Sequence, residues 1–327
     1  MKNQLLKVPH SDSTFIGNAF PALEEGSILA QIGNTPLLEL KYLTEGLPLG
    51  TKVFAKAEHL NPSGSVKDRA ARAIILDGIQ TGALTKDKII LDATSGNTGI
   101  AYAMIGAALG YKVALCLPKN ASEERKNILK AYNARIIETD PLQSSDGAQM
   151  HAKALANAEP EKYFYGNQYN NPANWKAHYN ATAMEIWEQT GHAITHFIAG
   201  MGTSGTFMGT SRRLKELNPL IQTIAMQPDS PMHGLEGMKH MATTMKPGIY
   251  DQSIIRDTVE VATEDACATA LLLARKEGVF VGISSGANVH AALQVARTLP
   301  PGSIIVTILC DNGNRYLSEE LWSTYSI

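Results

Sequence analysis

Thr195-His196-Phe197-Ile198-Ala199-Gly200-Met201-Gly202-Thr203-Ser204-Gly205-Thr206 reads as a strand running into a glycine turn, and the segment that follows, Phe207–Leu217, has helical periodicity. Glycines let the backbone turn tightly and aim several N–H groups at one point. The hydroxyls add donors, and the helix beyond contributes the partial positive charge of its N-terminus. That combination suits a phosphate. Its glycine spacing differs from the dinucleotide fingerprint, and no lysine follows the last glycine as it would in a Walker loop. An ordinary turn can have the same composition, so the stretch decides the local fold before it decides a function.

On either side the same alternation continues. The sequence predicts strands at Val53–Ala57, Ile89–Ala93, Lys112–Leu117, Arg135–Glu138, His196–Ala199, Thr223–Met226 and Ile304–Leu309. Helical patterns lie between them at Arg69–Gln80, Ile100–Leu109, Glu123–Tyr132, Ala181–Gln189, Phe207–Leu217 and Thr263–Lys276. This order predicts an α/β protein with mainly parallel sheets covered by helices. Ser122 before Glu123 and Glu124 is an N-cap signal. The stretch Gln227 to Gly248, rich in Pro, Gly, His and Met, reads as a long loop of the kind that often carries function.

The chain has 327 residues, 44% hydrophobic and 18% charged, enough for two lobes with separate cores. A net charge of −2 gives no overall attraction to nucleic acid or to an anionic membrane. Cys116, Cys267 and Cys310 are too dispersed for a disulfide framework or a close-spaced metal cluster, which suits a reducing cytoplasm. The nine histidines include no H-E-x-x-H pair, so no metal site is expected. The N-terminus lacks a secretory core, and no stretch is long and apolar enough to span a bilayer.

Three more loops resemble the first. Ala93-Thr94-Ser95-Gly96-Asn97-Thr98-Gly99 joins a strand to a helix and offers N–H and O–H donors suited to a carboxylate, or else caps its helix through Ser95 or Thr98. Asn61-Pro62-Ser63-Gly64-Ser65-Val66-Lys67 brings a lysine to a helix start. There the dipole and desolvation oppose an ammonium and suit imine formation, although a lone lysine is ordinarily solvated. Gly282-Ile283-Ser284-Ser285-Gly286-Ala287, between an apolar run and a helix, can present a hydroxyl to a ring nitrogen.

At these residues the chain resembles the fold-type II pyridoxal 5′-phosphate (PLP) enzymes, and closely the cysteine synthases, particularly the cysteine synthase B branch. The similarity runs from Ile32-Gly33-Asn34-Thr35-Pro36 to Asp311-Asn312-Gly313-Asn314-Arg315-Tyr316-Leu317-Ser318. It implies two three-layer α/β lobes of tryptophan synthase β-like architecture with the cofactor in the cleft between them. The implied divisions are an N-terminal extension at 1–34, a smaller mobile domain at 60–171, and a larger domain made of 35–59 with 172–327. Lys67 would form the internal Schiff base, Asn97 would bond the ring O3′, Gly202, Thr203, Ser204, Gly205 and Thr206 would hold the phosphate, and Ser284 would face the pyridine nitrogen. Thr94, Ser95, Thr98 and Gln168 would bind the substrate α-carboxylate.

The reaction this resemblance implies is β-replacement on O-acetyl-L-serine by sulfide, through an aminoacrylate, in a cytoplasmic homodimer. A serine acetyltransferase partner is not specified by these residues. Two departures stand out. The Gly-Ile-Arg-Arg-Trp segment of the B branch is here Gly234-Leu235-Glu236-Gly237-Met238-Lys239-His240, without the arginine pair, which bears on use of thiosulfate or a phosphorylated serine; Lys239 and His240 either restore positive charge or are solvated. The family's Thr-Gly-Pro-Glu turn is Thr182-Ala183-Met184-Glu185. Rival readings are a cystathionine β-synthase-like or diaminopropionate synthase-like enzyme using another nucleophile, and a silent PLP-binding regulatory homologue.

Overall fold

The computed structural model describes residues 26–318 except Ser95. Most of the expected N-terminal extension, residues 1–25, therefore lies outside the described residues. In chain order the elements are β1 (Leu37–Glu39), β2 (Lys52–Lys56), α1 (Lys67–Gln80), β3 (Ile89–Ala93), α2 (Asn97–Leu109), β4 (Lys112–Pro118), α3 (Glu123–Ala131), β5 (Arg135–Thr139), α4 (Ser144–Ala158), β6 (Tyr163–Tyr165), α5 (Pro172–Ala177) and α6 (Ala183–Gln189). They continue with β7 (His196–Gly200), α7 (Gly205–Leu217), β8 (Gln222–Pro228), β9 (Asp257–Val261), α8 (Thr263–Leu272), α9 (Ile283–Ala296) and β10 (Ile304–Ile308).

The strands form two sheets, one ordered β1-β2-β10-β7-β8-β9 and the other β5-β4-β3-β6. Every pairing is parallel except β1 with β2. Parallel sheets need apolar cover on both faces, and alternate residues supply it. In the smaller sheet Ile90, Val113 and Leu115 pack with Ile74 and Ile75 of α1 and with Ile100 and Ile105 of α2. Leu91, Ala93, Ala114 and Cys116 turn the other way, onto Ala148 and Ala152 of α4. In the larger sheet Val53, Ile198, Ile224 and Ile305 meet Leu271 of α8 and Val289 of α9, while Phe197, Ala225 and Val306 meet Ile186 of α6 and Phe207 of α7. Each lobe is thus three layers, helix on sheet on helix. No helix among the described residues is long and apolar enough to cross a membrane.

Local signals and structure agree closely at α3, where the Ser122 side chain accepts from Arg125 N and Glu123 and Glu124 occupy the first turn. Three differences matter. Helix α1 begins at Lys67 rather than Arg69, so the lysine is the first helical residue. The helix expected to run to Lys276 passes into a π turn at Leu273–Glu277. The apolar run before Gly282 is no strand, because Val281 makes only an isolated bridge to Asn312. The glycine loops after β3 and β7 both leave the carboxyl ends of parallel strands, the edge at which α/β sheets bind ligands.

Candidate active site

Strand β7 delivers the loop Met201–Ser204 to the N-terminus of α7. Close packing and side-chain hydrogen bonds hold the loop in shape. A Cβ on Gly202 would lie 2.0 Å from the Gly237 carbonyl oxygen, and one on Gly205 would lie 1.9 Å from Asn174 Oδ1, so both positions are closed to any side chain. Ser204 adopts φ 67°, a left-handed conformation costly for serine. Its hydroxyl is buried with no hydrogen-bond partner. Thr203 Oγ1 accepts from Asn174 Nδ2 at 3.0 Å. Thr206 Oγ1 lies 3.3 Å from His178 Nε2, and His178 Nδ1 lies 2.9 Å from Thr182 Oγ1. Burial, reinforced by the Arg69 charge, holds the His178 imidazole down to about 3, so it stays neutral.

Lys67 and this loop line one cavity, together with Val66, Gly237, Asn288, Ile308 and Cys310. Lys67 is half-buried, so the desolvation expected at a helix start is partial. Asn288 fixes the far wall: its Oδ1 accepts from Gly200 N at 2.7 Å, and its Nδ2 donates to Ile308 O at 2.8 Å. Ser284 is buried at the start of α9 and hydrogen-bonded to the Cys310 thiol, which burial pushes up to about 11. The donors present fit a small phosphate attached to a carbonyl compound. Lys67, the start of α7 and Ser204, whose hydroxyl has no partner, line this cavity, and the missing side chain of Gly202 lets the loop close against the Gly237 carbonyl oxygen.

The residues expected to bind the substrate carboxylate form a second group. Thr98 Oγ1 donates to Gln168 Oε1 at 2.7 Å, and Gln168 Nε2 donates to Ala93 O at 2.6 Å. Thr94 Oγ1 accepts from Gly96 N at 3.0 Å and from Gly99 N at 3.2 Å, so it takes up N–H groups at the start of α2 while Thr98 turns to Gln168. Ser95 lies outside the described residues. Asn174 bridges the two groups, because the Nδ2 that reaches Thr203 also donates to Gln168 O at 2.7 Å. Asn97 and Ser284 do not border the cavity that Lys67 lines. Asn97 instead donates to Asp311 Oδ2 at 2.6 Å and accepts from Arg315, which also reaches the Ser63 carbonyl.

Charged residues that motif reading passed over hold the loops in place. Two residues beyond Lys67, Arg69 is fully buried between Glu58 and Glu185, with Nε to Glu58 Oε2 at 2.7 Å and Nη1 to Glu185 Oε1 at 2.6 Å. Burial alone would raise the Glu185 carboxyl, but Arg69 and then Lys56 bring it down to about 2. Asp68 accepts from Ser63 N at 2.7 Å and from the Ser63 hydroxyl, tying the loop before the lysine to the helix after it. The long loop after β8 carries Glu236, paired with both terminal nitrogens of Arg125 on α3, and Lys239. Lys239 is buried and bonded to Asp146 on α4, so it is not solvated, whereas the His240 ring is half-exposed with Nδ1 2.9 Å from Thr243 Oγ1. The alternation of turns and apolar runs had no way to reveal these partners, since the residues are far apart in sequence. Asn171-Pro172, which opens α5, was the available signal for Asn174.

The family described as pyridoxal-phosphate dependent enzyme matches residues 28–311. A cysteine synthase of Aquifex aeolicus is 51% identical over 301 residues, covering 91% of this chain and 92% of that protein. A cysteine synthase B of Escherichia coli is 42% identical over 287 residues, covering 88% and 93%. Among solved structures, cysteine synthase from Entamoeba histolytica is similar with a TM-score of 0.88 at 34% identity, covering 99% of this chain and 96% of that one.

Proposed function

Since the chain belongs to the cysteine synthase group of pyridoxal-phosphate dependent enzymes, we propose that it makes L-cysteine by replacing the β-acetoxy group of O-acetyl-L-serine with sulfide. The observation that carries this reading is the shared cavity of Lys67 and Gly202–Thr206, with the Ser204 hydroxyl buried and unpartnered.

When bound, PLP supplies an aldehyde that captures an amine and a conjugated ring that accepts electron density from the substrate Cα. Lys67 would hold it through Nζ, and the amides and hydroxyls of Gly202, Thr203, Ser204, Gly205 and Thr206 would hold its phosphate. Ser284 would offer a neutral hydroxyl to the ring nitrogen, which would not keep that nitrogen protonated as a carboxylate would. Asn97 would turn to the ring hydroxyl. Thr94, Ser95, Thr98 and Gln168 bind and orient the α-carboxylate. Lys67 Nζ would take the Cα proton and return it to the product. Across the cycle one Cβ–O bond breaks with loss of acetate and one Cβ–S bond forms. Closure of the smaller lobe, about residues 60–171, excludes water while Cβ is electrophilic. A cytoplasmic homodimer is part of the same reading.

The test is a visible spectrum of the purified protein before and after O-acetyl-L-serine, followed by turnover with sulfide, homocysteine or an amine. We expect cofactor absorbance that shifts on adding the amino acid, with sulfide the preferred nucleophile. Bound cofactor with no spectral response would favour a silent regulatory homologue, and faster turnover with homocysteine would favour a cystathionine-forming enzyme. Lys67→Ala that retained full-rate β-replacement would end the proposal.

A further inference from the structure

Beneath the carboxylate-side residues lies a fully buried acid with no part in the scheme above. Asp92, at the end of β3, accepts three hydrogen bonds. Oδ1 takes the Ala93 N–H at 2.8 Å, and Oδ2 takes the Tyr102 hydroxyl at 2.9 Å and the Gln168 N–H at 3.1 Å. Tyr102 is fully buried on α2, one turn beyond Thr98. The approach leaves no slack, since a Cβ on Gly166 would stand 2.7 Å from Tyr102 Oη and 2.9 Å from Asp92 Oδ2.

One side chain therefore joins the strand that precedes Thr94, the helix that carries Thr98 and the loop that carries Gln168. We propose that Asp92 is a positioning residue for the substrate carboxylate, acting through the main chain of Gln168, and that Tyr102 holds Asp92 in the orientation this requires. The proposal rests on the reading of Thr94, Thr98 and Gln168 as the carboxylate subsite. A buried acid is costly in its charged form, and burial does push Asp92 up to about 7, yet an apolar residue here would leave the Ala93 and Gln168 N–H groups and the Tyr102 hydroxyl without an acceptor. In place of the carboxylate, an asparagine amide would set N–H groups against the Gln168 N–H or the Ala93 N–H, neither of which can reverse. The loop would then have to move.

The experiment measures steady-state kinetics of the holoenzyme with O-acetyl-L-serine and sulfide for Asp92→Asn, Tyr102→Phe, Gln168→Ala and the double variant D92N/Q168A. Amide hydrogen exchange of the peptide containing Gln168 is followed alongside. Asp92→Asn should raise KM for the amino acid roughly tenfold while kcat changes less than about threefold and KM for sulfide is unmoved. Tyr102→Phe should raise KM by about threefold, and the double variant should be no worse than Gln168→Ala alone. The Gln168 amide should exchange faster in both Asp92→Asn and Tyr102→Phe. If Gln168→Ala raises KM and Asp92→Asn does not, the positioning role is wrong while the subsite stands. If Gln168→Ala itself leaves KM unchanged, the subsite reading fails and the proposal with it. Should Asp92→Asn not fold, Tyr102→Phe decides alone, and an unchanged KM there overturns the role.

Discussion

Lys239 Nζ lies 3.0 Å from Asp146 Oδ1, joining the long loop after β8 to helix α4 of the other lobe. The ammonium is almost wholly buried and also donates to Met245 O at 3.2 Å, while Asp146 Oδ2 accepts from Met245 N at 3.4 Å. With Arg125 and Glu236 it makes a second tie of opposite polarity, since the loop contributes the anion to one pair and the cation to the other.

Asp146→Ala leaves the Lys239 charge buried without its carboxylate. About a third of the Asp146 side chain is exposed, so the cost is below that of a fully buried pair, at about 1–2 kcal/mol. We expect a lower urea midpoint and earlier proteolysis between residues 229 and 250. D146A/K239M should recover part of the loss, and equal midpoints for wild type and Asp146→Ala would show the tie to be idle.

His178 titrates near 6.5 when unfolded and near 3 when folded, so the unfolded chain binds the extra proton between those values. Its contribution to stability is complete above pH 6.5 and is lost as pH falls toward 3. Urea unfolding of His178→Gln should therefore show a shallower acid-side decline than wild type. Parallel curves would place the acid sensitivity elsewhere.

Asp92 has the opposite sign. Its carboxyl is held near 7 by burial against 3.8 when unfolded, so the native state binds more protons between those values and stability falls as pH rises through them. The shift corresponds to a few kcal/mol. Comparing wild type with Asp92→Asn from pH 4 to 7.5, the variant should gain relative stability as pH rises, and a constant difference would contradict the assigned cause.

Removing the cofactor should destabilise the protein. A ligand held at about 100 times its Kd contributes about 2.7 kcal/mol through mass action alone. Apoprotein should unfold at a lower temperature, and excess pyridoxal phosphate should restore the midpoint in wild type more fully than in Ser204→Val, which removes the orphaned hydroxyl and places a β-branched side chain at φ 67°. Identical recovery would show that Ser204 is not a phosphate contact.

Much of this architecture was legible in the chain. The run Ile89–Ala93, apolar but for Asp92, belongs to a strand buried on both faces, and there the expected bounds coincide with the structure. Where the apolar signal is short or half exposed it fades. Strand β6 is three residues long, and edge strand β9 exposes most of Asp257–Val261, so neither separates from a loop by periodicity. Helix α4 is built on alanines rather than large apolar residues. For the site, glycine turns mark where the backbone must bend, and so the segments carrying Lys67 and Gly202–Thr206, which line one cavity, stand out in the sequence. Asp92 and Asn288 carry no such signal, because their roles arise from hydrogen bonds to segments remote in sequence, and for Asn174 the sign was the Asn171-Pro172 helix start.

Arg69 sits two residues past Lys67 on the same helix and is gripped by Glu58 and by Glu185 of α6. Helix α1 packs Ile74 and Ile75 into the core of the smaller lobe, yet its first turn is riveted by these two carboxylates to segments of the larger one. The backbone that carries the amine is therefore anchored from both sides of the cleft.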